Sequence, residues 1–168
     1  HAHISTPFYL EEGQTIEQSR LIALDSRSQI VSLYFDGSVK TQALPKAAEA
    51  MAFGLQDLNA DLSLDYIYLA GNELHAISQD SLPFFMHRFT DATNAKMHLF
   101  SKENVQGSIG VVCPSLNEVY LFNQDGTVMD GFPIKGNTDM LLIPAAEGEK
   151  AVLICGSADK KINCYSIE

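Results

Sequence analysis

Short apolar segments recur along the chain with a period of about 44 residues. Each copy of the period holds three such segments, and equivalent positions align in four copies. The first segment is marked by Phe8, Met51, Met97 and Met140, the second by Leu24, Leu69, Val112 and Ile154, and the third by Leu33, Ala76, Leu121 and Cys164. Agreement at three positions is hard to obtain by chance, so the pattern indicates a tandem repeat of one supersecondary unit.

The repeated segments have the composition of β-strands. β-branched, aromatic and other apolar residues dominate them, and the second segment of each copy is an almost continuous apolar run. Such runs are typical of strands that are covered on both faces. Short polar links at residues 25–28, 71–72, 114–117 and 156–160 join the second segment to the third and predict hairpins.

A fourth strand is predicted after a tight turn in the first three copies. The turns are Asp36-Gly37, Asp80-Ser81 and Asp125-Gly126, and the strands that follow them are Val39–Ala43, Phe84–Phe89 and Phe132–Lys135. Four antiparallel strands per copy predict an all-β fold, a β-propeller of tandem four-stranded blades, about four of them in this chain. A helical repeat is the main alternative, but the β-forming composition of the segments disfavours it.

The repeat predicts a single propeller-like domain over residues 1–168, with copies at about 4–46, 47–92, 93–137 and 138–168. The last copy ends after its third strand and is incomplete. Residues 4–10 already form the first strand of copy one, so too little chain remains upstream to complete that blade. We therefore expect part of a larger or oligomeric ring, with self-association through the incomplete last blade, because an open sheet edge invites strand pairing.

Composition excludes several classes of protein. Of the 168 residues, 46% are hydrophobic and 19% are charged, which is a globular composition. The formal net charge of −10, with scattered Lys and Arg, disfavours nucleic acid as a partner. No apolar run is long enough for a membrane-spanning helix. The chain begins with His1 and not with Met, so we expect a mature chain or a fragment, and the compartment stays open.

Two stretches resemble the blades of a known group. FGLQDLNADLSLDYIYLAG, residues 53–71, resembles the FG-GAP repeat of integrin-type and bacterial propellers. VYLFNQDGTVMDGFPIKG, residues 119–136, is similar to the blade end of bacterial FG-GAP and quinoprotein-like propellers. The resemblance implies an extracytoplasmic binding or adhesion module, in the periplasm or at the cell surface. It also implies a calcium loop, of which only copy two keeps the acidic residues.

The acidic loop of copy two has the spacing of a calcium site. The oxygen-bearing side chains at alternating positions are Asp57, Asn59, Asp61, Ser63 and Asp65. Calcium takes about 6–8 oxygen ligands, and alternating positions let side chains converge on one point. In the family pattern, Ser63 at the seventh position contributes its backbone carbonyl. We expect the ion, if it binds, to have a structural role between the first two strands of the blade.

Leu62 is the departure from the family pattern. A glycine usually follows the third ligand and permits the sharp turn, whereas a leucine at positive φ is costly. The alternative interpretation of the loop is a polar β-turn, in which Asp and Asn side chains accept hydrogen bonds from nearby backbone amides. Both interpretations are open at the level of the sequence.

No catalytic site is predicted. His75, His87 and His98 lie on three different predicted strands, Cys113, Cys155 and Cys164 lack metal-ligand spacing, and no nucleophile elbow or phosphate loop is present. We therefore predict a non-catalytic module that binds a protein or glycan, without a catalytic or cofactor-binding residue. The alternative is part of a quinoprotein-type or other propeller enzyme. The absence of tryptophan disfavours it, because those rings use tryptophans to dock blades.

Overall fold

The computed structural model describes residues 2–45, 50–100, 108–145 and 150–167. These residues form strands and one short 3-10 turn at Ile16–Gln18. The first sheet contains β1 (Tyr9–Glu11), β2 (Arg20–Leu24), β3 (Gln29–Tyr34) and β4 (Val39–Ala43), and the second contains β5 (Ala50–Gln56), β6 (Asp65–Ala70), β7 (Glu73–Ile77) and β8 (Pro83–Arg88). The third contains β9 (Lys96–Leu99), β10 (Ile109–Cys113), β11 (Glu118–Phe122) and β12 (Ile134–Lys135), and the fourth contains β13 (Met140–Ile143), β14 (Ala151–Gly156) and β15 (Ile162–Ile167).

All pairings within the four sheets are antiparallel, and the strands of each sheet follow one another in sequence order. This meander is the blade architecture that the repeat predicts, so the all-β propeller fold with four blades is confirmed. The fourth sheet has three strands within the described residues. No helix in the described ranges has the length and apolar character that a bilayer crossing needs.

Turn residues at positive φ occupy equivalent places in the blades. In the links between second and third strands these residues are Ser28, Gly71, Asn117 and Lys160, and in the turns before the fourth strands they are Gly37, Ser81 and Gly126. The latter are the second residues of the three dipeptides from which the turns were predicted. A left-handed residue reverses the chain tightly and favours glycine or a short polar side chain, which explains why these types recur at these turns.

Two predicted strands are shorter than expected, and proline accounts for both. The first strand of copy one, predicted over 4–10, is an isolated bridge from Ile4 to Asp25 followed by β1. The fourth strand of copy three, predicted over 132–135, is reduced to the two residues of β12. Pro7 and Pro133 lie at these interruptions, and proline has no N–H to donate to a strand ladder.

Three apolar cores hold the sheets together, and each core lies between two consecutive sheets. The first core contains Ile22, Leu24 and Ile30 of the first sheet and Phe53, Tyr66 and Tyr68 of the second. The second core joins Ile67, Leu69 and Leu74 to Ile109, Val111 and Phe122, and the third joins Val112, Val119 and Leu121 to Met140, Leu142 and Leu153. Alternating residues of one strand thus serve two different cores.

The inner sheets are buried on both faces because a neighbour covers each face. Every residue of β6 and of β10 is buried. In the fourth sheet, by contrast, β13 and β14 alternate between buried and more exposed residues. The sheets therefore stack in sequence order, and no core among the described residues joins the fourth sheet back to the first.

Replacing a side chain between the inner sheets will test this stacking. Leu69→Ala removes a fully buried leucine from the core between the second and third sheets, and we expect the free energy of unfolding to fall by about 2–5 kcal/mol. Leu82→Ala is the control, because Leu82 is 65% exposed and its truncation leaves no cavity. Urea unfolding curves measure both variants. Equal, small effects would contradict the assignment of Leu69 to a core.

Candidate functional site

The acidic loop connects β5 to β6 at one end of the second sheet. The Phe53-Gly54 pair precedes it, and the two residues face opposite neighbours: Phe53 packs in the core toward the first sheet, whereas Gly54 lies against Leu99 of the third. A Cβ on Gly54 would come to 2.5 Å from Leu99 Cδ1, so a larger residue here would require the Leu99 side chain to move. The loop therefore starts from a strand that is fixed on both sides.

The side-chain oxygens of the loop accept hydrogen bonds from its own backbone. Asn59 Oδ1 accepts from the Asp61 amide at 3.1 Å, and Asp61 Oδ1 accepts from the Ser63 amide at 2.8 Å. Asp57 Oδ2 accepts from the Leu62 amide at 3.2 Å. At the end of the loop, Asp65 Oδ2 accepts from the Leu58 amide at 2.9 Å. This is the geometry of the polar turn that was the alternative to an ion site.

All five predicted ligand residues lie in or at the end of this one loop. Within the ranges that the structure describes, no three His, Cys, Asp or Glu side chains are grouped closely enough to hold a metal ion. In this conformation the carboxylates of Asp57, Asp61 and Asp65 face backbone amides. A cation would therefore have to replace some of these amide hydrogen bonds, and the calcium site stays a prediction.

Leu62 adopts the conformation that the sequence identified as costly. Its φ is 70°, in the left-handed region, and its side chain is 93% exposed. Ala60, two residues earlier, also has a positive φ of 61°. Two residues with a Cβ thus occupy positions that favour glycine. The hydrogen bonds of Asp57, Asn59 and Asp61 to the loop amides hold the backbone in this shape.

The pKa values of two carboxyl groups in the acidic loop are shifted in opposite directions. Burial raises the pKa of the Asp65 carboxyl, the Leu58 amide opposes the shift, and the negative charges of Asp61 and Asp57 raise it further. The pKa of Asp61 is lowered, because the Ser63 amide and the Asn59 side chain donate to its carboxylate. Asp61 and Asp57 thus each repel the Asp65 carboxylate, and positive charge at this position would relieve the repulsion.

A cleft of about 560 Å³ lies beside the loop, between the second and third sheets. Its walls are formed by Leu55, Gln56, Asp57, Leu62, Leu64, Leu99 and Phe100. Gln56 Nε2 donates to the Phe100 carbonyl at 3.1 Å and so ties the two sheets together at the cleft. The volume is in the range of small-molecule sites, but the walls are mainly aliphatic and offer few polar groups to orient a ligand.

The three internal histidines do not converge. His75 and His87 pair with Met86 and Leu74 in adjacent register positions, so their side chains lie on opposite faces of the second sheet. The His75 ring stacks on Tyr68 at 4.9 Å toward the first sheet. Burial lowers the pKa of His87, whose ring contacts Phe122 of the third sheet at 4.9 Å. His87 therefore packs between the second and third sheets, whereas His75 stacks on a residue of its own sheet, and His98 stacks on Phe100 at 6.4 Å.

A half-buried polar network that the sequence did not suggest joins the first sheet to the second. Arg20 Nε donates to the Glu11 carboxylate, and Arg20 Nη2 donates to Gln79 Oε1 at 2.5 Å. Gln79 Nε2 donates to Glu11 Oε1 at 2.5 Å and to the carbonyl of Leu64 at 3.1 Å. Burial alone would lower the pKa of Arg20, but the hydrogen bond and charge of Glu11 raise it. The signal in the sequence that could have indicated this network is Arg20, a charged residue at the start of an otherwise apolar strand.

The outward face of the fourth sheet is apolar. The apolar residues of this open face of the fourth sheet alternate with the residues of the third core, and Ser166 lies on the same face; they are Leu141, Ile143, Val152, Ile154, Ile162 and Cys164. Leu141, Ile154 and Cys164 form one row across its three strands. Leu141 is 59% exposed and Ile162 is 79% exposed. Apolar side chains of this size are seldom left in water as a continuous patch.

The outward face of the first sheet has the same character. The large apolar residues of this open face of the first sheet are Leu10, Leu21, Val31, Leu33 and Val39, and Gln29 and Thr41 lie on the same face. Leu10, Leu21, Leu33 and Val39 form a row across all four strands of the sheet. The opposite face, with Ile22, Leu24 and Ile30, packs on the second sheet. The stack of four sheets thus carries one open apolar face at each end.

Comparison with known proteins gives a fold and not a family. No protein-family model and no curated protein matches the chain. Solved structures do resemble it. BBS1N, solved in complex with ARL6DN, is 12% identical with a TM-score of 0.62, over 99% of this chain and 52% of that chain. Virginiamycin B lyase from Staphylococcus aureus is 12% identical with a TM-score of 0.56, over 99% of this chain and 59% of that chain.

The WD40 domain of SCAP from fission yeast is also similar in structure. It is 10% identical with a TM-score of 0.55, over 100% of this chain and 45% of that chain. WD40 domains are β-propellers, so the comparison agrees with the blade architecture derived above. This chain spans about half the length of the solved chains that it matches. At such low identity the likeness shows the fold alone.

The strained leucine of the acidic loop gives a direct test of the loop geometry. Leu62→Gly removes a Cβ from a left-handed position, and we expect the free energy of unfolding to rise by about 0.5 kcal/mol. This value is the backbone strain that is relieved minus the cost of the greater chain entropy that glycine has in the unfolded state. Leu82→Gly is the matched control, because Leu82 is exposed but has no positive φ, and it should lower stability. Equal losses in the two variants, measured by chemical unfolding, would contradict the loop conformation.

Proposed function

We propose that the chain is a non-catalytic propeller module that assembles with a protein partner through its terminal blades. The observation that carries this proposal is the pair of open apolar faces on the first and fourth sheets. A sheet that is solvated on one side normally alternates apolar and polar residues. The fourth sheet instead places Leu141, Ile143 and Ile154 on its outer side, so the face suits a protein cover.

The structural comparisons support an assembly role without assigning a partner. BBS1N was solved in complex with ARL6DN, which makes a propeller of this shape compatible with protein binding. A glycan partner, which the FG-GAP resemblance also allows, would need polar groups that orient sugar hydroxyls, and the open faces offer few. The resemblance of residues 53–71 to the FG-GAP repeat supports membership of that group and a place in the periplasm or at the cell surface.

The enzymatic alternative rests on the fold alone. Virginiamycin B lyase is similar to this chain in structure, but at 12% identity no residue role carries over. A quinoprotein-type role would need a cofactor site, and no contact in the described residues favours one over a packing role. We therefore place the function at the blade faces.

Assembly through the fourth sheet can be measured by changing its most exposed member. Ile162→Lys puts a charge on the open face of the fourth sheet, and we expect it to shift the sedimentation of the purified chain from an assembly toward the monomer. Leu82→Lys is the control, because Leu82 is also an exposed aliphatic residue but lies on neither open face. Identical sedimentation of the wild type and Ile162→Lys across a dilution series would contradict self-assembly through this face.

The calcium prediction is tested separately from assembly. If the ion binds the loop with the affinity typical of extracellular modules, about 5 mM calcium should stabilise the fold by about 1–2 kcal/mol relative to chelator. Asp61→Ala should abolish this difference, because it removes a carboxylate from the centre of the loop. Asp36→Ala is the control, since it also removes an exposed aspartate that accepts a turn hydrogen bond, here from the Ser38 amide at 2.7 Å.

The readout is the melting temperature with calcium and with chelator. Asp36→Ala should keep the full response to calcium. An identical melt of the wild-type chain under both conditions would overturn the calcium site and leave the polar turn as the whole role of the loop.

A further inference from the structure

We propose that one end of the stack of sheets is a docking surface for a segment of a partner protein that combines apolar side chains with Lys or Arg. This end of the stack, the acidic end, consists of the links between first and second strands and between third and fourth strands of each sheet. In an antiparallel meander these two kinds of link lie at the same end of the sheet. The inference goes beyond the proposed function, because it concerns a surface other than the open faces of the first and fourth sheets.

The links of neighbouring sheets lie side by side at the acidic end. Gln79, in the last link of the second sheet, accepts a hydrogen bond at 2.5 Å from Arg20, at the start of β2. Gln56, at the end of β5, donates to the carbonyl of Phe100, just after β9, at 3.1 Å. Further blades beside this chain would cover sheet faces and would leave the ends of the strands exposed. The surface is therefore present with or without such blades.

Exposed apolar side chains are concentrated at the acidic end. Four large apolar residues stay exposed in links within a sheet, and all four belong to this end: Ile16, Phe35, Leu62 and Leu82. The described links within sheets at the opposite end hold no exposed large apolar residue. Leu62 also forms part of the wall of the cleft between the second and third sheets, with Leu64, Leu99 and Phe100. An apolar recess beside exposed apolar side chains suits an anchoring side chain of a protein partner.

The charge of the acidic end decides which partner fits. Five of its links are described in full, at residues 12–19, 35–38, 57–64, 78–82 and 123–133. Together they contain no Lys or Arg and eight carboxylates, which are Glu12, Glu17, Asp36, Asp57, Asp61, Asp80, Asp125 and Asp130. Arg20 borders these links but is paired with Glu11, and Lys150 lies in the partly described link of the fourth sheet. A cationic partner is therefore attracted to this end, whereas an anionic one is repelled.

The opposite end of the stack shows that turn chemistry alone does not produce this charge. Its turns use aspartate in the same way: Asp91 accepts a hydrogen bond from an amide two residues later at 2.8 Å, as Asp36 does at 2.7 Å. At the opposite end, however, cations accompany the carboxylates, and the ion pairs are Arg27 with Asp25 and Lys161 with Asp159. The excess of carboxylates is thus a property of one end only.

The apolar and acidic features together define the chemistry of the partner. A purely apolar segment would gain nothing from the carboxylates, and a purely basic one would leave the cleft empty. In the proposed complex an apolar side chain of the segment occupies the cleft, and its Lys or Arg side chains lie over the surrounding carboxylates. A cation beside Asp61 also relieves the repulsion that Asp61 exerts on Asp65. Charge complementarity of this kind fixes the orientation of a partner and speeds its association.

Fluorescence anisotropy with a defined peptide tests the surface. The probe is a fluorescein-labelled amphipathic peptide of leucine and lysine, about 14 residues long, used with chelator so that calcium does not compete for the acidic loop. We expect it to bind the wild-type chain. A peptide with glutamate in place of each lysine, or with serine in place of each leucine, should not bind. Affinity should fall at least about tenfold between about 0.05 M and about 0.5 M NaCl, because salt screens exposed charges.

Two double variants change the net charge equally at opposite ends of the stack. Asp36→Asn with Asp61→Asn acts at the acidic end, and Asp91→Asn with Asp159→Asn acts at the opposite end. Asparagine keeps a side-chain oxygen for the turn hydrogen bonds that these residues accept. We expect the first double variant to bind the leucine-lysine peptide about tenfold more weakly and the second to stay within about twofold of the wild type.

The apolar contribution has its own variant. Leu62→Ser removes an exposed side chain from the wall of the cleft, and we expect it to weaken binding of the peptide about fivefold. Met86→Ser is the control, because Met86 is also exposed but lies on β8, outside the acidic end, and its binding should be that of the wild type.

The other outcomes overturn the proposal. No binding by the wild type, or equal weakening by the two double variants, overturns the acidic end as the docking surface, since equal weakening indicates attraction to net charge alone. An unchanged Leu62→Ser overturns the apolar part of the partner. A photo-crosslinking group on the peptide gives a second readout on the unmodified chain, and adducts spread over both ends overturn the surface. Self-assembly is measured without peptide, so this inference and the proposed function can fail separately.

Discussion

The fold depends on the packing of one apolar sheet face against another. Each sheet of this chain has two such faces, and the inner sheets satisfy both by lying between neighbours, which is why every residue of β6 and β10 is buried. Burial of apolar area is the main favourable term in folding and carries no preferred direction. The same term therefore acts on the first and fourth sheets, whose outer faces belong to none of the cores among the described residues.

Polar contacts between blades add specificity to this packing. Arg20, Glu11 and Gln79 form a closed network between the first and second sheets, and the Tyr9 hydroxyl donates to the Phe53 carbonyl at 2.7 Å in the same interface. Between the second and third sheets these contacts are the hydrogen bond from Gln56 to the Phe100 carbonyl and the aromatic contact of His87 with Phe122. Because these contacts differ from one interface to the next, they favour the correct pairing of blades, although every core is apolar.

The sequence predicted strands and turns well because their signals are local. Val39–Ala43 was predicted residue for residue, and the turns at Gly37, Ser81 and Gly126 were identified from their dipeptides. The sequence did not predict the register between strands. Leu33 and Cys164 occupy the same position of the repeat, as do Leu24 and Ile154, but Leu33 pairs with Leu21 whereas Cys164 pairs with Ile154. Link lengths differ among the blades, and hairpin length sets register. The Arg20 network and the rows on the open faces depend on that register, so both were missed.

The acidic loop and the open faces differ in whether their side chains already have partners among the described residues. In the loop, Asp57, Asn59 and Asp61 each already accept a hydrogen bond from a neighbouring amide. Leu141 and Ile154 belong to no core among the described residues, because the other face of their sheet packs on the third blade. Satisfied polar groups bring little free energy to a new contact, whereas uncovered apolar faces bring most of it. The open faces therefore support the proposed assembly better than the acidic loop does.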